Sequence, residues 1–301
     1  MKTTHLWKPL PHEIFFGLFL MITWLRLGFA VGFSDGDALF YFTLIILNIG
    51  AIWFCRRNDT PMNWRVGLLF YPIAMNFIFV ELKTAVPKIH PAKMDSLLQH
   101  IDSLGIGTNL SLRLQPFVHP ALGEFFSFCY MLFFPYLLFS LVYYFCGDIR
   151  LLKKFIIGLF TIYGIGFLGY SFVPAVGPYR ALADQFTVPL NGWWLTKLNA
   201  ALVVRGTNNA DVFPSLHCAI SSFFLFFDRK YRPWRFKLYL IPCVGLWIST
   251  IYLRYHYCID VLCGFALSAV ALWLANQYSE KSELNVTAQN KTTTPAPFVY
   301  E

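Results

Sequence analysis

The chain has 301 residues, of which 57% are hydrophobic and 19% aromatic, while 13% are charged. A soluble domain carries about 25% charged residues, and apolar stretches long enough to cross a bilayer recur here, which excludes a water-soluble enzyme and indicates a multi-spanning membrane protein. The net charge of +8 is dispersed over short loops without an aromatic-interleaved basic stripe, so nucleic acid is set aside as a partner.

In chain order, apolar windows predict helices near 14–33, 37–54, 64–82, 121–146, 155–173, 212–228, 236–253 and 256–275. Eight spans of about 20 residues each leave only connecting loops, so a single integral membrane domain is expected over 1–278. The first apolar run is long enough to span and has no small-residue cleavage site after it, which reads as an anchor rather than a cleaved leader. Segment 92–106 (AKMDSLLQHIDSLGI) alternates polar and apolar residues at helical spacing. It predicts either a short interfacial helix or a plain linker cap. Residues 279–301 are polar, Thr-rich and proline-containing, and are expected to form a disordered cytoplasmic tail.

Alternate loops differ in basic content. Lys2, Lys8, Arg56, Arg57, Arg65, Arg150, Lys153, Lys154, Arg229, Lys230, Arg232, Arg235, Lys237, Lys281 and Lys291 fall on one side. The other side holds Lys83, Lys88, Lys93, Arg113, Arg180, Lys197, Arg205 and Arg254, spread over much longer loops. Positive residues stay inside. Both termini are therefore expected in the cytoplasm, with the long loops 83–120 and 174–211 outside. Seven cysteines, mostly within apolar runs and without a CxxC pair, read as packing residues.

Chemistry concentrates at outward helix ends: His217 in FPSLH, and His256 with Asp260 in RYHYCID. The i to i+4 spacing of His256 and Asp260 stacks them on one helix face, where the carboxylate accepts the imidazole N–H and fixes its tautomer. The other ring nitrogen keeps its lone pair and can attack an electrophile, for which phosphorus is the best candidate. His217 can protonate an alkoxide leaving group, while Pro214 and Ser215 start a helix whose free N–H groups suit phosphate oxygens. A single membrane histidine is often an interhelical hydrogen-bonding residue. Two on one face with a paired, costly carboxylate favour function. Zinc would need more than an i to i+4 pair, and no HExxH or CxxC element is present, so no metal and no cofactor are expected.

These two motifs resemble the second and third signatures of the type-2 phosphatidic acid phosphatase superfamily. The pattern PSLH with STxYxRxHYxxD is most similar to its inositol phosphorylceramide synthase branch, over roughly residues 120–275. The resemblance implies an all-α polytopic bundle of about eight transmembrane helices with a six-helix core, near 64–275. It further implies that His256 is the nucleophile forming a phosphohistidine, that Asp260 orients it and that His217 protonates the leaving group. Two departures stand out. Phosphatase members usually carry an arginine six residues before the nucleophilic histidine, where Thr250 stands here, and their first motif is replaced by VPAVGPYR at 173–180. Candidate substitutes for the phosphate clamp are Arg254 and Arg180. For Arg180, snorkelling to lipid headgroups is an equal alternative. Gly177 and Pro178 would shape a turn near the phosphate, and Ser215 would add a hydroxyl donor.

Other polar residues have simpler readings. Asp211 is expected to cap the sixth predicted helix, Glu124 to make a helix-start charge interaction, and Arg26 to pair or snorkel. Gly164, Gly166 and Gly169 fit close helix approach, and Trp193 and Trp194 suit interfacial anchoring. Together these features predict a membrane phosphotransferase that moves a phosphoryl headgroup from a phospholipid donor to a lipid hydroxyl acceptor at the outward or lumenal face. The close alternative is a lipid phosphate phosphatase, with water as acceptor. A silent lipid binder or a transporter fits less well, since the ionisable residues cluster at one face without a midplane relay.

Overall fold

The computed structural model describes residues 9–292, with side chains through residue 278 except at Ile106. Among the described residues the chain is helical and contains no strand: α1 (Pro11–Val31), α2 (Gly36–Arg57), α3 (Pro61–Leu68), α4 (Phe70–Ile89), α5 (Asp95–Ile106), α6 (Leu110–Arg113), α7 (Pro120–Met131), α8 (Phe133–Cys146), α9 (Ile149–Phe172), α10 (Pro178–Ala181), α11 (Trp194–Gly206), α12 (Leu216–Tyr231), α13 (Pro233–Tyr252) and α14 (Cys258–Thr292). The last part of the predicted tail, 293–301, lies outside the described residues, as do residues 1–8.

Six stretches are long and apolar enough to cross a membrane: 11–31, 36–57, 61–89, 120–146, 149–172 and 258–278. The protein is a multi-pass integral membrane protein. Two of the eight expected spans fall short by that measure, for identifiable reasons. α12 has 16 residues, about 24 Å at 1.5 Å per residue, and α13 carries Arg235 and Lys237 in its first turns. Both still pack into the bundle, α12 against α9, α13 and α14. The spans 61–89 and 120–146 are each interrupted once, at Leu69 and Leu132, where the backbone keeps helical dihedrals. Pro72 and Pro135 follow three residues later and have no N–H to close the ladder at those turns.

α9 is the central helix: 78% of its apolar window is buried inside the protein, against 33–39% for the other five spans. Its glycines make that possible. A Cβ on Gly164 would lie 2.7 Å from the backbone of Phe15 and Phe16 in α1. One on Gly166 would meet Leu216 at 2.4 Å, and one on Gly169 would meet the carbonyl of Phe213 at 2.8 Å. The small residues thus bring α1 and the start of α12 against α9, the close approach expected from sequence.

Polar side chains fix the end of the bundle remote from the two histidines. Glu13 pairs with Arg56 at 2.6 Å. Fully buried Asp228 of α12 pairs with Arg235 of α13 at 2.9 Å, and the hydroxyls of Tyr136 and Tyr144 in α8 both donate to Asp228. Arg235 also donates to Ser140 and stands 4.8 Å from the ring centres of Phe139 and Tyr143. Towards the opposite end, where α9 runs into the 174–215 segment, Arg26 does pair: it donates to the Ser171 carbonyl and hydroxyl and covers the Phe172 ring at 4.1 Å.

At the other end the segments 90–119 and 174–215 form a cap. α5 is the helix that segment 92–106 predicted, starting at Asp95. Glu124 of α7 accepts from Leu195 N, Thr196 N and the Thr196 hydroxyl. It therefore caps α11 rather than its own helix, and that charge at a helix start holds α11 against α7. Trp193 and Trp194, 63% and 70% exposed, stand at the beginning of α11.

Candidate active site

The two signature segments meet through their backbones. Ser215 N donates to the Asp260 carbonyl at 3.0 Å, and a Cβ on Gly264 would lie 2.6 Å from the Ser215 carbonyl. The start of α12 therefore rests directly on the first turns of α14. Asp211 does not cap α12. Ser215 is the N-cap, its hydroxyl accepting from Cys218 N at 3.4 Å, because it immediately precedes the helix whereas Asp211 is five residues upstream of it.

This contact brings His217 and His256 together, with ring centres 6.0 Å apart. His217 is held by rings of α7 and α8: it stacks on Tyr130 at 4.6 Å and lies 4.5 Å from Phe133. Neither of its nitrogens has a hydrogen-bond partner among the described residues. His256 is 2% exposed, and its Nδ1 is 3.5 Å from Asp260 Oδ2. Asp260 Oδ2 also accepts from Tyr257 N at 2.8 Å, which sets the carboxylate's orientation. A separation of 3.5 Å is long for a hydrogen bond, and such contacts tighten when a catalytic site is occupied. Nδ1 is the ring nitrogen turned to the carboxylate.

Both imidazoles line one cavity of about 480 Å³. Its wall is largely apolar and aromatic, with Phe79, Tyr163, Tyr170, Phe134 and Leu202 among its residues, as suits a lipid. Polar exceptions are few: Asn76, Asn199, Thr207 and Asp211. Asp211 accepts from the Thr207 hydroxyl and is close enough to His256 for their charges to interact, while burial pushes its carboxyl above the usual carboxylate range. Sequence reasoning gave Asp211 only a capping role, although its position six residues before His217 was a usable signal. The apolar wall had none, since Tyr130 and Phe133 look like any other aromatic in a span.

The remaining candidates lie around the cavity rather than in its lining. Arg180 is exposed and donates to Asn209 Oδ1. Arg254, at φ 69°, sits over the Phe186 ring at 3.9 Å and donates to the Val188 carbonyl. Neither arginine is among the residues that line the cavity. The Ser215 hydroxyl is fully buried in its capping role. Thr250, at the position where phosphatases carry arginine, is buried, and its carbonyl accepts from Tyr255 N and His256 N. Gly177, at φ 85°, donates its N–H to Asp95 at 2.8 Å, and a Cβ there would lie 2.4 Å from the Tyr255 carbonyl.

Residues 95–274, which include both histidines and Asp260, match the family described as the PAP2 superfamily. The chain belongs to that superfamily. This is the type-2 phosphatidic acid phosphatase superfamily that the two motifs resemble, a family of lipid phosphotransferases and phosphatases. The chain is also 31% identical over 160 residues to a phosphoinositol dihydroceramide synthase of Bacteroides thetaiotaomicron, an overlap of 47% of this chain and 51% of the relative. It thus spans about half the length of that curated relative. No solved structure matches. The cavity wall contributed by α4, with Met75, Asn76 and Phe79, lies outside the part that matches the superfamily.

Proposed function

We propose that this protein transfers a phosphoryl headgroup, phosphoinositol by analogy with its relative, from a phospholipid to the hydroxyl of a ceramide-type lipid. His256 Nε2 attacks phosphorus and forms a P–N bond while the bond to the diacylglycerol oxygen breaks. His217 supplies the proton that this oxygen takes up. In the second half, His217 accepts the proton of the acceptor hydroxyl as its oxygen attacks phosphorus, and the P–N bond breaks to restore neutral His256. Asp260 orients His256 and stabilises the positive charge that develops on it. The single observation that carries the reading is the pair of imidazoles, 6.0 Å apart, on the wall of one apolar cavity.

The site is proposed to face the exterior or lumen with both termini cytoplasmic, supported by the concentration of Arg and Lys at the opposite ends of the helices. Arg180 and Arg254 become phosphate contacts in this reading only by leaving their present partners. The test uses purified protein, phosphatidylinositol labelled in the headgroup, and a ceramide. The expected product is a labelled sphingolipid, absent with His256→Ala and with His217→Ala. Release of free phosphoinositol, independent of ceramide, would assign hydrolysis instead.

A further inference from the structure

One feature of the cap touches the site without being part of its wall. α5 carries two buried carboxylates, Asp95 and Asp102, 8% and 3% exposed. Their seven-residue spacing places them two turns apart on one helix face. Asp102 accepts from Cys258 N at 2.8 Å and from Ile259 N at 2.9 Å, the first two N–H groups of α14. Asp95 accepts from Val176 N at 3.0 Å, from Gly177 N at 2.8 Å and from the Tyr257 hydroxyl at 3.0 Å. One helix thus grips the glycine turn of VPAVGPYR and the three residues that follow His256.

The orphan N–H groups of a helix start attract any carboxylate within reach. Asp260 lies in that first turn and already accepts from Tyr257 N. Were Cys258 N and Ile259 N also unfilled, they would compete with His256 for the same carboxylate. Asp102 removes that competition by taking both. Asp95 acts one residue earlier, fixing the Tyr257 ring through its hydroxyl, so that the peptide joining His256 to α14 is held from both sides. We propose that α5 is the positioning scaffold of this site, with Asp102 and Asp95 as positioning residues that keep Asp260 aimed at His256. This rests on the reading of His256 and Asp260 given above. The superfamily match begins at Asp95, the first residue of α5.

The experiment measures kcat per folded molecule for lipid transfer, with the full chain in detergent. Variants are Asp102→Ala, Asp102→Asn, Tyr257→Phe and His256→Ala. Displacement on the scale of 1 Å costs roughly 100-fold, so Asp102→Ala is expected to lower kcat about 10- to 100-fold with KM changed by less than about twofold. Asp102→Asn keeps one acceptor oxygen and loses less. Tyr257→Phe, which removes one hydrogen bond, loses about fivefold. A lowered melting temperature with wild-type kcat per folded molecule would reduce Asp102 to a stabilising cap and overturn the proposal. Should Asp102→Ala fail to fold, the same criteria apply to Asp102→Asn and Tyr257→Phe. Activity in His256→Ala would overturn the underlying site reading. Loss in His256→Ala with wild-type behaviour in the other variants would overturn the scaffold alone.

Discussion

Gly177→Ala adds a single methyl group in a turn that itself transfers no proton, and it is expected to disable the enzyme. The backbone at Gly177 has φ 85° and ψ 162°, a region open essentially to glycine, which costs another residue on the order of 1–3 kcal/mol. The new Cβ would stand 2.4 Å from the Tyr255 carbonyl, where ordinary contact begins at 3.4 Å, so the turn or its neighbour must yield by about 1 Å. That carbonyl belongs to the peptide whose N–H is His256 N, bonded to Thr250 at 3.0 Å. The displacement therefore reaches the nucleophile's own backbone. A 1 Å error at a reacting group costs roughly 100-fold, equivalent to about 2.7 kcal/mol of barrier. Fluorescent-ceramide transfer, normalised to folded protein from gel filtration, reads the rate, and a thermal melt reads the strain separately. A variant within threefold of wild type would refute the argument that this turn sets the position of His256.

Two other expectations concern the supports of the bundle and the cavity. Asp228→Ala leaves Arg235 buried without its partner and is expected to destabilise the protein by about 3–5 kcal/mol, seen as a lower melting temperature with kcat per folded molecule kept; an unchanged melt would refute it. Burial raises the Asp211 carboxyl, so the folded state holds this proton more tightly than the unfolded chain. Its stabilising contribution is complete below the ordinary carboxylate pKa and is lost as pH rises through the raised value. Asp211→Asn should accordingly flatten the decline of melting temperature from pH 4 to 8, whereas a curve parallel to wild type would contradict that assignment.

The catalytic candidates were legible because chemistry at a membrane boundary leaves few residues to choose from. His217, His256 and Asp260 are ionisable side chains at helix starts; the i to i+4 spacing paired His256 with Asp260, and the common outward face of the two histidines implied one shared site. Their supports were not legible. Asp102 meets Cys258 N across more than 150 positions of chain, and no periodicity in segment 92–106 distinguishes a carboxylate that faces solvent from one that caps a distant helix. Asp211 and Ser215 are both good N-cap types, and only the backbone at residues 211–215 decides that Ser215 takes the role while Asp211 turns to the cavity. Long flexible side chains are a third limit: charge alone suggested a phosphate clamp for Arg180 and Arg254, while Asn209, Phe186 and Val188 hold them elsewhere in this conformation. α12 and α13 read as spans from their apolar content, although a short helix and early basic residues depart from the bilayer-length pattern.

The bond from Ser215 to the Asp260 carbonyl, with Gly264 pressed against Ser215, makes the two signature segments one mechanical part although His217 and His256 are 39 positions apart in the chain. A chimera that imports residues 256–275 from a relative, leaving 213–231 native, would join surfaces shaped by different partners. Swapping both segments along with α5 preserves the joint. The smallest portable module of this enzyme is accordingly a set of three non-contiguous pieces, and donor or acceptor preference can be re-engineered on α4, which lines the cavity from outside those pieces.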